Sequence, residues 1–426
     1  MRKMKDSGIE WIGEIPEGWE VAPLKRFTSI QTGNTPSKTS DSNYYASTGI
    51  PWIKPDNLGY SHSISKTSEH LTSEGALCAR IMPPNTVYVC CIGSLGKVGY
   101  SSISCACNQQ INALIFNDLM FWKYGYYLTI AQESQYLLFG NGNVLQIINS
   151  TSQGNIACVL PPLENQHLIA CYLDSVCSDI EVLISKTRSS IEEYKKLKQA
   201  VITQAVTKGV RGEREMKDSG VEWIGEIPKE WVCEKIKYAT SISRGLFNHR
   251  PRNDERYYNG KYPFIQTGDV ANATKYIVSY SQTLNELGKS VSKEFPKDTL
   301  TMTIAANVGD VAILNFDAYF PDSVVGFIPN KNIRTLYLFY VFSAMKDEFT
   351  RTAIKSTQLN LNIDRVKETF IPVTLDSNEQ CEIENYLESK CAEIDGLIAK
   401  KEQLVKELES YKKSLIYEVV TGKREV

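Results

Sequence analysis

The chain has 426 residues, and at about 100 to 200 residues per domain this length predicts two to four domains. Hydrophobic residues make up 42% and charged residues 23%, which excludes a disordered chain, and the longest largely apolar stretch, residues 336–345, is about half the length of a membrane-spanning helix. The 47 Lys and Arg residues are balanced by 49 Asp and Glu residues, so any contact with nucleic acid has to come from local basic patches. We expect a soluble, cytoplasmic protein.

An internal repeat divides the chain into two halves. The segment Met4–Pro16 recurs as Met216–Pro228 with 12 of 13 positions identical, at an offset of 212 residues. Weaker echoes follow at similar offsets, among them Pro51-Trp-Ile against Pro263-Phe-Ile. The two halves are therefore predicted to share a fold and to have diverged between the repeated segments.

The first part of each half has short runs of Val, Ile, Tyr and Phe interrupted by Gly, Asn and Pro. This texture favours a mixed α/β domain with many loops. We predict globular domains over residues 1–160 and 214–372, a long helix with its linker over 161–213, and a second long helix over 373–426. The fold class is then α+β, with two pseudo-symmetric mixed domains separated by two long helices.

Both helical stretches carry an apolar pattern with alternating steps of four and three residues, the signature of a coiled-coil seam. The seam is predicted to include Ile180 and Leu183 in the first helix, and Ile394 and Leu397 in the second. At about 1.5 Å per residue, some 40 helical residues make a rod of roughly 60 Å, which needs a partner along its length.

The order of charges predicts how the two helices pair. Residues 164–181 carry four acids and no Lys or Arg, whereas 182–211 carry seven bases and two acids. The second helix has six acids and one base in 379–395, then seven bases and four acids in 396–424. Opposite charges align only if the helices run antiparallel, so we predict one intramolecular antiparallel coiled coil, which would serve as a spacer of fixed length.

The repeated lead segments contain Trp11 and Ile12 in the first copy, and Trp223 and Ile224 in the second. We predict that these residues are buried where one half meets the end of the other half's long helix. The near identity of the two copies also favours a surface that docks two copies of one partner.

Side chains suited to contacts with bases and phosphates lie between the repeated segments. In the second half, residues 244–261 hold five Lys or Arg against two acids, a local charge of +3. The candidate DNA-binding residues are Asn34, Thr35, Lys38, Tyr44, Lys54, Lys97 and Asn141 in the first half, and Arg244, His249, Arg250, Arg252, Arg256, Tyr258 and Lys261 in the second.

Four kinds of motif occur together in this chain: the doubled segment Lys-Asp-Ser-Gly-x-Glu-Trp-Ile-Gly-Glu-Ile-Pro, the Gly33-Asn-Thr-Pro36 loop, the start of the first helix at residues 161–166, and the helix ends Val206-Thr-Lys-Gly209 and Val420-Thr-Gly-Lys423. Taken together, these motifs resemble the specificity subunits of Type I restriction-modification systems. One departure is the start of the second helix, Pro372-Val-Thr-Leu, which lacks paired prolines.

The resemblance implies a non-catalytic subunit without a cofactor of its own. Its two target-recognition domains would each read one half of a bipartite, asymmetric sequence in double-stranded DNA. It would bind two modification subunits, which methylate adenine with S-adenosylmethionine, and restriction subunits, which use ATP to translocate DNA before cleavage.

The residues bear on two other classes of protein. An enzyme with its own methyltransferase centre needs an Asn/Asp-Pro-Pro-aromatic segment, and neither Pro83-Pro84 nor Pro161-Pro162 has the required flanks. No P-loop is encoded, and the eleven cysteines, with no C-x-x-C pair, predict reduced core thiols rather than a metal site. A structural spacer with two globular interaction domains remains the alternative.

Overall fold

The computed structural model describes residues 2–36, 43–59, 63–64, 67–141, 146–305, 307–352, 354–355 and 359–426. The chain forms two compact units: unit 1 comprises Met1–Arg188 with Gln403–Val426, and unit 2 comprises Ser189–Glu402. Each of the two long helices therefore contributes one part to each unit.

Unit 1 contains thirteen short strands and four short helices among its described residues, together with the first part of α5 and the last part of the final helix. The strands are β1 (Met4–Asp6), β2 (Glu14–Pro16), β3 (Glu20–Pro23), β4 (Thr28–Thr32), β5 (Tyr45–Ala46), β6 (Ile50–Ile53), β7 (His70–Leu71), β8 (Ile81–Met82), β9 (Thr86–Cys90), β10 (Val98–Ser101), β11 (Cys105–Cys107), β12 (Ile111–Phe116) and β13 (Ala157–Leu160). The helices are α1 (Ser73–Leu77), α2 (Trp122–Ala131), α3 (Glu133–Phe139), α4 (Ser150–Gly154) and α5 (Leu163–Lys208).

Two sheets build the core of unit 1. One is antiparallel with the strand order β10-β9-β12-β4, and the other has the order β5-β7-β6-β11-β8, in which β11 runs parallel to β6. All five residues of β9 are buried, and Val87, Tyr88 and Val89 are the β-branched and aromatic types that pack well on a pleated surface. The repeated lead segment forms the hairpin β1–β2.

Unit 2 repeats this plan. Its strands are β14 (Met216–Asp218), β15 (Glu226–Pro228), β16 (Val232–Lys235), β17 (Thr240–Arg244), β18 (Tyr258–Phe264), β19 (Tyr276–Ile277), β20 (Gln282–Leu284), β21 (Glu294–Phe295), β22 (Leu300–Thr303), β23 (Val311–Leu314), β24 (Ala318–Tyr319), β25 (Val324–Pro329), β26 (Ile354–Lys355), β27 (Leu359–Asn360) and β28 (Phe370–Val373). Its helices are α6 (Ile236–Ala239), α7 (Thr267–Asn272), α8 (Glu286–Ser290), α9 (Thr335–Ala344), α10 (Lys346–Thr352), α11 (Ile363–Glu368) and α12 (Ser377–Val420). The two sheets of its core have the orders β17-β25-β22-β23-β19 and β20-β18-β24-β21.

The repeat extends to single hydrogen bonds. In unit 1 the hydroxyl of Tyr127, on α2, donates to Asp174 of α5 (2.8 Å), and in unit 2 the hydroxyl of Tyr340, on α9, donates to Glu388 of α12. The hydroxyl of Tyr124 likewise donates to the carbonyl of Val159, as Tyr337 does to the carbonyl of Pro372. Equivalent tyrosines thus attach α2 to β13 and α5 in unit 1, and α9 to β28 and α12 in unit 2.

The long helices pair antiparallel inside each unit. In unit 1, Glu181 forms an ion pair with Lys412, and Arg188 Nη2 lies 2.6 Å from Glu409 Oε1, so residue numbers rise on α5 as they fall on α12. In unit 2, Lys198 Nζ lies 2.7 Å from Asp395 Oδ2. The acidic start of one helix meets the basic end of the other, as the charge order predicts, and the predicted fold class is confirmed.

The residues predicted to form the buried seam of the helix pair were wrong at every second position. Leu183 is 51% exposed, whereas the next residue, Ile184, is 5% exposed. Leu397 is only half-buried, whereas Ile180 and Ile394 are buried as predicted. The same shift of one residue recurs along both helices, where the buried positions include Cys177, Ile191, Ile202, Cys391 and Val405.

The physical reason for this shift is that the helices pack against more than each other. Ile184 lines a cleft with Leu95, which lies in the β9–β10 turn of unit 1, and Cys391 belongs to the main apolar core of unit 2. One residue step turns a helix by about 100°, so the buried stripe follows the direction that covers both the partner helix and the sheet domain. The apolar character of Leu183 and Ile184 alone does not distinguish them.

All eleven cysteines are free thiols, and seven of them are buried, while Cys78 and Cys171 are exposed. Burial raises the pKa of the Cys91, Cys107 and Cys158 thiols to about 12, so they stay protonated at neutral pH. In the described part of the chain, no helix is long and apolar enough to cross a membrane, and no group of three His, Cys, Asp or Glu side chains could hold a metal ion.

Candidate nucleic-acid interface

Two glycines mark the same point in the two units. Gly33 follows β4 and donates its N–H to Ile111, and Gly245 follows β17 and donates to Val324. A Cβ atom at Gly33 would lie 2.3 Å from the carbonyl oxygen of Cys107, and one at Gly245 would lie 2.1 Å from that of Pro321. Only glycine allows two backbones to approach this closely. The loops after β4 and β17 therefore begin with the same close contact to a neighbouring backbone.

The loop after Gly33 is held by side chains that sequence reasoning assigned to DNA. Asn34 Nδ2 donates to the carbonyl of Cys78 (2.7 Å), and its Oδ1 accepts from the N–H of Arg80 (2.8 Å). Thr35 donates its hydroxyl to Gln109. The Asn34 amide therefore stabilises the loop through two hydrogen bonds. The exposed basic side chain beside it is Arg80, which was not among the residues predicted from the sequence.

Lys54 lies at the end of β6, at the edge of the same region. Its Nζ is 2.6 Å from Glu69 Oε1 and 5.0 Å from the ring centre of Trp52. The backbone places it beside the loop, because the N–H of Asn108 donates to Ile53 and the N–H of Asn34 donates to Cys107. Lys54, Glu69 and the Asn34 loop thus belong to one surface.

The other candidates in unit 1 do not join this group. Lys97 is exposed and lines a cleft of about 410 Å³ between the β9–β10 turn, α3 and the long helices, and Asn141 pairs with Ile147 near the same turn. Tyr44 is half-buried, and its carbonyl accepts from the N–H of Thr72. Lys38 lies outside the described residues.

In unit 2 the basic residues gather around one acid that is distant in sequence. Asp322 accepts from Arg252 Nη2 (2.5 Å), lies 3.7 Å from Arg250 Nη2, and its carbonyl accepts from Arg244 Nε. Arg250 also donates to the carbonyl of Phe247 (2.6 Å). These contacts with Asp322 hold Arg244, Arg250 and Arg252 close together in the loop that follows β17.

A second acid orders the rest of the loop. Asp254 accepts from Arg256, and His249 Nε2 lies 2.9 Å from its Oδ2. The guanidinium of Arg256 is the main cause that holds the pKa of the Asp254 carboxyl well below its usual range. His249 in turn stacks on Tyr257, with ring centres 4.0 Å apart.

Two acids from outside residues 244–261 lie in the cluster, since Asp322 is paired with Arg252 and Glu286 lies 3.4 Å from Lys261. They partly offset the charge of the five bases. The bases remain accessible, since the side chains of Arg256 and Lys261 are 76% and 75% exposed. Exposed ion pairs contribute about 1 kcal/mol or less, so a phosphate can replace the carboxylate partners at small cost.

An open groove of about 420 Å³ runs beside this loop. Arg252, Tyr258, Asn259, Gln266 and Gln282 are among the residues that line it. Burial raises the pKa of the Tyr258 hydroxyl, which donates to the carbonyl of Arg252. The guanidinium of Arg and the amides of Asn and Gln are the groups that commonly hydrogen-bond to base edges in duplex DNA.

The predicted lead-segment residues lie against helix ends within each unit. In unit 1 the hydroxyl of Tyr417, on α12, donates to the carbonyl of Trp11 (2.8 Å), and Ile12 is fully buried. In unit 2, Ile224 packs in the same core cluster as Ile202, Ala205 and Val206 of α5. The prediction that Trp11 and Trp223 are buried was wrong, because both are only half-buried. Each hairpin therefore contacts the end of the long helix that belongs to the other repeat.

The family model for the "Type I restriction modification DNA specificity domain" matches residues 16–193 and 242–407. The chain belongs to this family and is a specificity subunit of a type I restriction-modification system that recognises DNA. The alternative of a structural spacer is not favoured.

Curated relatives and a solved structure agree with this assignment. The chain is 26% identical to the putative type I restriction enzyme MjaX specificity subunit of Methanocaldococcus jannaschii, over 97% of this chain and 95% of that protein. It is 31% identical to the HindI specificity subunit of Haemophilus influenzae, over 43% of this chain and 39% of that one. A chain solved in work on complex assembly and conformational transition of the type I R-M system shares the fold with a TM-score of 0.73 at 14% identity, covering 96% of this chain and 99% of that chain.

Proposed function

We propose that this chain is the non-catalytic subunit that reads a bipartite, asymmetric DNA sequence. In this proposal residues 1–160 and 214–372 are the two target-recognition domains, and each reads one half of the target. The supporting observation is that the two units carry the same backbone frame around Gly33 and Gly245 but present different polar side chains on it. Equal frames with unequal side chains suit two different half-sites.

The same proposal assigns the chain two modification subunits as partners. The lead hairpins expose the same charged residues in both units, with Lys5 and Glu14 matched by Lys217 and Glu226. Two identical exposed surfaces suit two copies of one partner, which would carry S-adenosylmethionine and methylate adenine. Restriction subunits that use ATP would join the same complex to cleave DNA, and the chain itself would work in the cytoplasm.

The basic loop of unit 2 provides a direct test of DNA contact. If Arg250 and Arg252 bind phosphates, Arg250→Ala with Arg252→Ala should weaken binding of the full chain to duplex DNA. The slope of log affinity against log salt should then fall by about 2, because each phosphate contact contributes about 0.9. The measurement is a fluorescence-anisotropy titration at several salt concentrations.

A matched control removes the same charge elsewhere. Lys400→Ala with Lys406→Ala changes two exposed bases on α12 and should leave the salt slope within error. Equal slopes for the loop variant and the unsubstituted chain would exclude these arginines from the DNA interface.

A further inference from the structure

The two units hold a pair of polar side chains at the same structural position. Pro51-Trp-Ile-Lys54 in unit 1 corresponds to Pro263-Phe-Ile-Gln266 in unit 2. The N–H of Lys54 donates to Asn57 Oδ1 (2.9 Å), and the N–H of Gln266 donates to Asp269 Oδ2 (2.8 Å). The fourth residue of each segment therefore starts the same turn, fixed by an acceptor three residues later.

The neighbouring strand supplies the second member of each pair. In unit 1 the N–H of Trp52 donates to the carbonyl of Glu69, and in unit 2 Phe264 is paired with Gln282 across the sheet. Lys54 Nζ then lies 2.6 Å from Glu69 Oε1, whereas Gln266 Nε2 donates to Gln282 Oε1 (3.0 Å). One frame thus carries an ion pair in unit 1 and an amide pair in unit 2.

Both pairs adjoin the loops that begin at the equivalent glycines. In unit 2, the N–H of Ile265 donates to Tyr319 (2.8 Å) and the N–H of Leu246 donates to Phe320 (2.9 Å), so the strand before Gln266 and the start of the arginine-bearing loop flank one stretch of backbone. Gln266 and Gln282 both line the groove described above. A base edge that entered this groove would meet the two amides.

The amide pair has the polarity of an adenine reader. Gln266 Nε2 donates to Gln282 Oε1, which leaves Gln282 Nε2 as a donor. Gln266 Oε1 faces the N–H of Asp269 in the capping box at the start of α7, and its second lone pair remains as an acceptor. The major-groove edge of adenine presents the complementary set, the N6 donor beside the N7 acceptor. Because the two amides fix each other, this set is oriented before DNA arrives.

The ion pair between Lys54 and Glu69 in unit 1 matches a different base pair. A lysine donates to O6 and N7 of guanine, and a glutamate accepts from N4 of cytosine. Lys54 and Glu69 side by side therefore match the two bases of one G·C pair. Both side chains are partly exposed, so the pair can open toward a base edge.

Asp269 acts as a positioning residue for the amide pair. Its Oδ2 accepts from the N–H of Gln266, and its Oδ1 accepts from the N–H of Ser281, the residue before Gln282 (3.1 Å). One carboxylate thus fixes the backbone at both glutamines. Asp269→Asn should relax readout at the same base pair as the glutamine variants and at no other position.

We propose that these two equivalent pairs are specificity determinants, with Gln266 and Gln282 reading an A·T pair in one half-site and Lys54 and Glu69 reading a G·C pair in the other. This inference rests on the proposed function, since it names what the two recognition domains read.

The test is the methylated motif in host DNA when the full chain is co-expressed with its modification subunit. Gln266→Ala with Gln282→Ala should make one A·T position degenerate in one half-site, with a loss of discrimination of about 5- to 150-fold there. Lys54→Ala with Glu69→Ala should make one G·C position degenerate in the other half-site. Gln403→Ala, on an exposed glutamine of α12, serves as the control that leaves the motif unchanged.

An exchange of the pairs preserves side-chain size and charge balance. Lys54→Gln with Glu69→Gln should change the preference at the first position from G·C to A·T, and Gln266→Lys with Gln282→Glu should do the opposite in the other half-site. An unchanged motif in both alanine variants, or degeneracy spread over a whole half-site in the exchange variants, would overturn the inference while leaving the proposed function intact. Absence of any bipartite motif with the unsubstituted chain would instead remove the proposed function, and this inference with it.

Discussion

Glu379→Ala is expected to lower the free energy of unfolding by about 3–5 kcal/mol, the largest effect of any substitution considered for this chain. Glu379 is 1% exposed and accepts from Arg214 Nη1 (2.6 Å), Trp231 Nε1 (2.9 Å) and the hydroxyl of Thr374 (3.0 Å). Its removal leaves a guanidinium that is 14% exposed without its buried counter-charge, and an indole N–H without an acceptor. Urea denaturation of the full chain measures the change.

The repeat offers a matched control for this substitution. Asn165 stands 214 residues before Glu379, at the equivalent point of α5, and is half-buried without a carboxylate. Arg2 lies 4.9 Å over the Trp19 ring as Arg214 lies 5.4 Å over Trp231, but Arg2 Nη2 has no hydrogen-bond partner in the described part of the chain. Asn165→Ala should therefore cost about 1 kcal/mol or less. Similar losses for the two variants would contradict the role given to Glu379.

The second large effect is expected at Gln166 and Gln380, which are equivalent buried residues near the starts of α5 and α12. Gln166 Oε1 accepts from the N–H of Phe121 (2.7 Å), and its Nε2 donates to the carbonyls of Pro161 (2.9 Å) and Leu119 (3.2 Å). Gln166→Ala leaves these buried backbone groups without partners, at a cost of about 2–4 kcal/mol. Thermal and urea unfolding measure it.

Gln380→Ala should have an effect of the same size. Gln380 Oε1 accepts from the N–H of Arg334, and its Nε2 donates to the carbonyls of Asn332 and Thr374, each at 2.8 Å. Gln204→Ala, on an exposed face of α5, is the control and should change stability by about 0.5 kcal/mol or less. A loss of stability below about 1 kcal/mol at either buried glutamine would show that the loop before α2 or α9 does not depend on these hydrogen bonds.

The architecture was predictable because it depends on features that are local in sequence. The doubled lead segment, the long runs without internal proline and the order of charges predict two equivalent halves and an antiparallel helix pair. The helix face was predicted less well, since Leu183 and Ile184 are both apolar. Which of the two is buried depends on the direction that covers both the partner helix and the sheet domain.

The candidate interface depended more on contacts between distant residues. The cluster from Arg244 to Lys261 was visible as a run of bases, but Asp322 lies about 70 residues further along the chain and is paired with Arg252 only in the folded structure. Glu69 and Gln282 were missed for the same reason, because a strand pairing brings each of them to Lys54 or Gln266. The sequence does indicate that Lys54 and Gln266 are equivalent, because each directly follows the repeated segment Pro51-Trp-Ile or Pro263-Phe-Ile.

The central claim is that one copy of this chain directs two modification subunits to a split DNA target. The most direct measurement is to co-express the chain with its modification subunit, determine the mass of the purified complex, and sequence the methylated adenines of the host DNA. We predict two modification subunits per chain and one asymmetric motif with two specific parts separated by a nonspecific gap. A complex with a single modification subunit, or a continuous motif without a gap, would contradict the claim.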